Sequence, residues 1–416
     1  MEILYGYRAS TRMILISSTE TPMFESLPSF PADPLLSLIS AFAADPRPGK
    51  IDLGVGVYKD PSGDTPVMQS VKLAERWLVD QQRTKTYLGI TGSIDFQTRL
   101  TKLLVREDLA ASLGGRLVTF QAIGGTGALW LGAQLLAKTS SQPRIWISDP
   151  AWANHPGIFI ASGFTVERYD YLDASGAVDF PAIASAAGMM QRGDAFLLQA
   201  SCHNPSGEDL SIAQIQDLFD ILRNRGVIPL IDIAYAGLAL GFDADLEIIN
   251  IALEKFDEVL FAFSCSKNFS LYRERVGLFL AKASSDAGAD KVRGALASIA
   301  RCSYSMPPDH GAAVVSAIAA SDDLRRLWLS ELEQIRQEIV TKRQRLSGAS
   351  FGNSVLSRLS TQTGFFSLLP LSPADCGRLR KEYGIYLPDS GRIAVLGISD
   401  ENEETFMRSL GEVLNG

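Results

Sequence analysis

Short runs rich in Val, Ile, Leu and Phe recur through the middle of this chain, most of them followed by an amphipathic stretch. "RLVTFQAI" precedes "GGTG" and then the helical "ALWLGAQLLAKT". "RIWISD" leads to "PAWANHPGIFIASGF", "AFLLQASCHNPSG" to "SIAQIQDLFDILRNRG", and "VIPLIDIAYAG" to "DADLEIINIALEKF". "EVLFAFSCSK" and "RVGLFLAKA" complete the series. Strands that are apolar on both faces must be covered on both faces, and helical crossovers make neighbouring strands parallel. The pattern therefore predicts an α/β fold with a mostly parallel sheet covered by helices.

A long charged helix follows, "DDLRRLWLSELEQIRQEIVTKRQRL". Its apolar positions Leu324, Leu327, Trp328, Leu332, Ile335 and Ile339 recur at helical spacing. Beyond it, "GFFSLLPL", "PADCGRLRKEY", "GRIAVLGI" and a last helix read as a smaller α+β unit, packed with the helix expected in "ADPLLSLISAFAAD". Residues 1–22 read as an extension outside the fold, because "MFESLPSFPADPLLSLI" from Met23 looks like a natural start.

The net charge of −8 argues against a nucleic-acid or membrane-surface partner. No apolar stretch approaches the ~20 residues of a membrane span. Cys202, Cys265, Cys302 and Cys376 lie far apart with no CxxC, which makes a reducing cytoplasm the expected setting. His155, His203 and His310 have no metal-ligand spacing, so no metal site is expected.

In open α/β sheets, ligands bind beyond the carboxyl ends of the strands. The unusual residues gather there: Gly124–Gly127, Asp149–Trp152, Asn204, Asp232–Tyr235 and Ser264–Lys267. Gly125 and Thr126 open a helix whose free N–H groups suit a phosphate, with a plain tight turn as the equal alternative. Trp130 breaks the dinucleotide fingerprint and no triphosphate loop is present. Ser264, Ser266 and Arg275 can add two hydroxyls and a planar donor fork, although Arg275 could instead pair with Glu274 at the surface. Asp232 is either a turn acid or the partner of a cationic heterocycle. Trp152 offers a flat face, Asn204 an amide and Tyr235 a phenol. Lys267 ends a core strand, where an unpaired ammonium is costly. A phosphorylated aromatic nitrogen heterocycle bearing an aldehyde uses all of these groups, because the aldehyde captures the lysine. That ligand is pyridoxal phosphate.

From Met23 onward the chain resembles the class I, fold type I aminotransferases, in their aspartate and aromatic-amino-acid subgroup. The resemblance is carried in order by "PGKIDLGVGVYKD", "TKTYLGITG", "GGTGAL", "DPAWANH", "ASCHNPSG", "DIAYAG", "SCSKNFSLYRERVG", "RCSYSMPPDHGA" and "SGRIAV". It implies a small domain of residues 23–64 with 330–416, a large coenzyme-binding domain of residues 65–329, and a homodimer with shared active sites. Lys267 would carry the coenzyme. Asp232, supported by His155, would pair with its ring nitrogen. Asn204 and Tyr235 would bond its hydroxyl, and Trp152 would stack on the ring. Gly125, Thr126, Ser264, Ser266 and Arg275 would hold the phosphate, with Tyr87 reaching in from the partner subunit. Arg392 and the Gly56 backbone would bind the substrate α-carboxylate. Arg301 would take a side-chain carboxylate across the dimer.

Met306 stands where the aspartate enzymes usually carry asparagine, and this makes the neighbourhood of Arg301 more apolar. Gln199 stands where relatives often carry histidine. "SCSK" and "SYSMPPDHGA" most resemble a bacterial aromatic branch. The implied reaction moves the amino group of tyrosine, phenylalanine or tryptophan to 2-oxoglutarate, with aspartate as the alternative donor. A lyase or decarboxylase using the same coenzyme fits less well, because paired Arg392 and Arg301 suit two carboxylates. An inert phosphate-binding protein is a third reading.

Overall fold

The computed structural model describes residues 34–60, 62–348 and 354–415, with short pieces at 24–25 and 27–28. The expected N-terminal extension, residues 1–22, lies outside the described residues. Eleven strands occur among the described residues: β1 (Ile51–Asp52), β2 (Leu117–Ile123), β3 (Arg144–Asp149), β4 (Thr165–Asp170), β5 (Ala195–Gln199), β6 (Ile228–Ile233), β7 (Val259–Ser264), β8 (Val276–Lys282), β9 (Phe366–Leu368), β10 (Ile385–Tyr386) and β11 (Arg392–Ala394).

Seven of them form the central sheet in the order β2-β8-β7-β6-β5-β3-β4. Pairings from β4 through β7 are parallel, and β8 runs antiparallel to both its neighbours. The mostly parallel sheet expected from the apolar runs is therefore present. Strands β6, β7 and β8 are buried almost throughout, which is why their sequences are nearly continuous in apolar residues. Strand β4, "TVERYD", sits at the sheet edge and buries only Tyr169 fully. Its charged residues concealed it in the sequence.

Two apolar cores flank this sheet, one of them extending under the helix Asp322–Gly348. Trp328, Leu332, Ile335 and Ile339 of that helix are buried as its spacing predicts, while Leu324 and Leu327 are half-buried. A third core gathers Ile51 and Leu53 with Leu346, Leu379, Ile385, Ile393 and Phe406. Around it, β1 pairs in parallel with β10, and β9 pairs antiparallel with β11. The N-terminal strand β1 thus packs with the C-terminal segment. The ends of β5, β6 and β7 open toward this second unit.

Candidate active site

Gly124 begins the helix Gly124–Ala137 directly after β2. Its φ of +66° suits glycine, and a Cβ there would sit 2.7 Å from an Arg275 guanidinium nitrogen. The Gly124 N–H donates to the Arg275 carbonyl at 2.9 Å. The helix N-terminus and Arg275 are thereby fixed side by side. Ser264, at the end of β7, packs against Gly125. Free helix N–H groups, two hydroxyls and a guanidinium converge on one corner, a donor set made for an anion. Arg275 donates to the Tyr272 carbonyl at 3.3 Å rather than pairing with the adjacent Glu274.

Asp232, in β6, lines the same cleft and meets His155. His155 Nε2 lies 2.9 Å from Asp232 Oδ2, and both residues are buried. His155 starts the helix His155–Ala161, and Trp152 packs edge-on against its ring with centroids 5.1 Å apart. Lys267 follows β7 with Nζ 5.0 Å from the centre of the Tyr235 ring. Burial pushes its pKa down to about 8; Asp232 opposes that shift and Arg275 adds to it. Roughly a tenth of this amine is then uncharged at pH 7, far more than for an ordinary lysine, and that is the form able to attack a carbonyl. Burial raises the pKa of the Tyr235 phenol well above its usual range.

The second unit closes the far wall. Arg392 opens β11, is 9% exposed, and donates Nη2 to the Gly54 carbonyl at 2.5 Å and Nη1 to Asn204 Oδ1 at 3.4 Å. Its guanidinium lies over the Phe366 ring, 4.3 Å from the centroid. Its Nε is buried without a partner, a donor aimed at something the chain itself does not supply. A Cβ on Gly56 would come within 2.1 Å of the Phe366 ring. Only glycine lets the backbone approach so closely.

Gly56, Gly125, Thr126, Trp152, Asn204, Asp232, Tyr235, Ser264, Ser266, Lys267, Arg275 and Arg392 all line one cleft of about 230 Å³. Tyr87 and Arg301 do not line it. Tyr87 is 92% exposed, and Arg301, also exposed, donates Nη1 to Ser305 Oγ at 2.6 Å. The Leu88 N–H meets Met306 Sδ at 2.9 Å, so these two residues belong to adjoining surface segments. Sequence reasoning missed Phe366, which reads as an ordinary core residue, and gave Gln199 no role although it lines the cleft.

The residues fit pyridoxal phosphate: one cleft holds an anion corner, a buried carboxylate and a lysine of lowered pKa. Among the described residues, no cluster of His, Cys, Asp and Glu could hold a metal ion. No described helix is long and apolar enough to cross a membrane. All four cysteines are free thiols.

Known proteins show the same organisation. The tyrosine aminotransferase of Rhizobium meliloti (strain 1021) is 45% identical over 378 residues, covering 90% of this chain and 96% of its own. The aspartate aminotransferase of Escherichia coli (strain K12) is 40% identical, covering 94% and 100%. The solved structure of the aromatic-amino-acid aminotransferase from Burkholderia pseudomallei, covalently bound to pyridoxal phosphate, superposes with a TM-score of 0.90 at 37% identity, covering 95% and 100%. The profile of aminotransferase class I and II matches residues 48–410, and the chain belongs to that family.

Proposed function

We propose that this chain is a pyridoxal-phosphate aminotransferase that moves the amino group of tyrosine, phenylalanine or tryptophan to 2-oxoglutarate. The observation that carries this reading is that Lys267 lines one cleft with Gly125, Thr126 and the His155-tied Asp232, and feels the charges of both Asp232 and Arg275. The identity to a tyrosine aminotransferase supports the aromatic donor. The Escherichia coli relative keeps aspartate as the second reading.

The bound coenzyme supplies an electron sink for the bond broken at the substrate Cα. Lys267 Nζ would hold it, and as an uncharged amine would be the base for the Cα proton. Asp232, oriented by His155, holds a proton on the ring nitrogen through charge pairing. Asn204 and Tyr235 would bond the ring hydroxyl, and Trp152 would stack on the ring. Gly125, Thr126, Ser264, Ser266 and Arg275 hold the phosphate. Arg392 and the Gly56 backbone hold the α-carboxylate, which fixes the Cα bond that faces the ring.

The working unit of this reading is a homodimer, with Tyr87 and Arg301 each entering the partner's cleft. Their adjoining positions on an exposed surface, away from this chain's own cleft, support it. The reading divides the chain into a small domain, residues 23–64 with 330–416, and a large domain, residues 65–329. The separate core around Ile51 and Ile393 supports that division. Steady-state kinetics with tyrosine, phenylalanine and aspartate as donors to 2-oxoglutarate test the assignment. A kcat/KM for aspartate well above those for both aromatic donors would favour the second reading.

A further inference from the structure

Gln199 ends β5, in register with Asp232 of β6. Its carboxamide engages a single residue twice. Nε2 donates to the Asn204 carbonyl at 3.1 Å, and Oε1 accepts from the Asn204 backbone N–H at 3.1 Å. Asn204 precedes Pro205, and a residue before proline is driven toward extended backbone. Extended backbone turns one residue's N–H and C=O to the same side, where a planar carboxamide can meet both. A carboxylate can only accept, and an alkyl chain can do neither. The Asn204 side chain then reaches Arg392, accepting from Nη1 at 3.4 Å.

We propose that Gln199 is a positioning residue for the α-carboxylate grip, a neutral two-bond latch that fixes Asn204 so that its amide stays on the Arg392 guanidinium. The proposal rests on Arg392 as the α-carboxylate ligand. It also accounts for a neutral side chain at this place. Asp232 stands beside it on β6, Lys267 follows β7, and Arg392 faces it from β11. A charged latch would disturb all three, whereas an amide supplies both bonds without a charge.

The test uses the coenzyme-loaded protein with Gln199→Met and Gln199→Glu. Calorimetry measures the dissociation constant of 3-phenylpropionate, an unreactive monocarboxylate, and kinetics are run with phenylalanine. Gln199→Met keeps size and neutrality but has neither donor nor acceptor. It is expected to weaken 3-phenylpropionate about tenfold and to raise the phenylalanine KM similarly, with kcat changed by less than about threefold. Gln199→Glu is expected to weaken binding at least as much at pH 8. It should regain affinity relative to the wild type as pH falls, because a protonated carboxyl again offers one donor and one acceptor. Wild-type affinity in Gln199→Met, or a Gln199→Glu to wild-type ratio that does not change with pH, would overturn the latch. If the wild type itself fails to bind 3-phenylpropionate, the Arg392 reading fails first and the latch falls with it.

Discussion

His155 Nε2 and Asp232 Oδ2 face each other at 2.9 Å in the interior, beneath the one lysine that lines the cleft. A buried carboxylate tied to a buried imidazole keeps its position and its charge available to a cationic ring. Asp232→Ala should therefore lower kcat by on the order of 10³-fold or more, the loss of several kcal/mol of charge stabilisation. Asp232→Glu should restore part of it. His155→Ala should cost less, about tenfold, since it removes the support and leaves the charge. Stopped-flow and steady-state kinetics on the three variants check this ordering.

The lowered pKa of Lys267 has a stability consequence in the coenzyme-free protein. Its folded value, about 8, lies below the ordinary 10.5. Between those two values the unfolded chain holds more protons, so stability contributed through this group rises with pH across the window. Below about pH 8 the buried ammonium costs the fold on the order of 1–3 kcal/mol. Coenzyme-free Lys267→Met should therefore be more stable than coenzyme-free wild type at pH 7, and the gap should close toward pH 10. Denaturant unfolding at the two pH values measures it.

Arg301 should discriminate among substrates. In the proposed reading it would supply a charge partner for a dicarboxylate, whereas for an aromatic side chain it would have to turn to water or remain unpaired. Arg301→Leu should reduce kcat/KM for aspartate and 2-oxoglutarate by about 10²-fold or more, while phenylalanine with its own oxo acid changes little. Equal losses for all three would remove Arg301 from the site.

Arg343 should matter for the fold around the cleft. It is 1% exposed and donates to the carbonyls of Leu359, Thr363, Gly364 and Phe366, to Gln362 Oε1 and to Ser367 Oγ. Burial lowers its pKa to about 10. It ties the turn before β9 to the long helix, and β9 carries the Phe366 ring under Arg392. Arg343→Met takes this donor from all of those acceptors and should destabilise by about 3 kcal/mol or more. Chemical denaturation of the variant checks the size of the loss.

Much of this architecture was legible because most central strands, β4 excepted, are largely apolar runs and five strand ends carry the site. The residues after β2, β3, β5, β6 and β7 could be placed together by the rule for open sheets before any coordinate was known. What stayed hidden is physical in origin. Strands β1, β9, β10 and β11 span only two or three residues each, too few to set a period. Arg343 looks like one more charge on a solvated helix, because only tertiary contacts show that carbonyls surround it. Phe366 is apolar wherever it sits, so a wall of the cleft cannot be told from core. Gln199 could be singled out as unusual, yet its two bonds to Asn204 depend on backbone direction that sequence does not reveal.

The central claim is that Lys267 alone carries the coenzyme. The direct measurement is reduction of the yellow, coenzyme-loaded protein with borohydride, followed by digestion and mass mapping of the modified peptide. The account predicts one tagged peptide, with the added mass on the lysine of "SCSKNFSLYR". A tag on a different lysine, or none despite full loading, would contradict it.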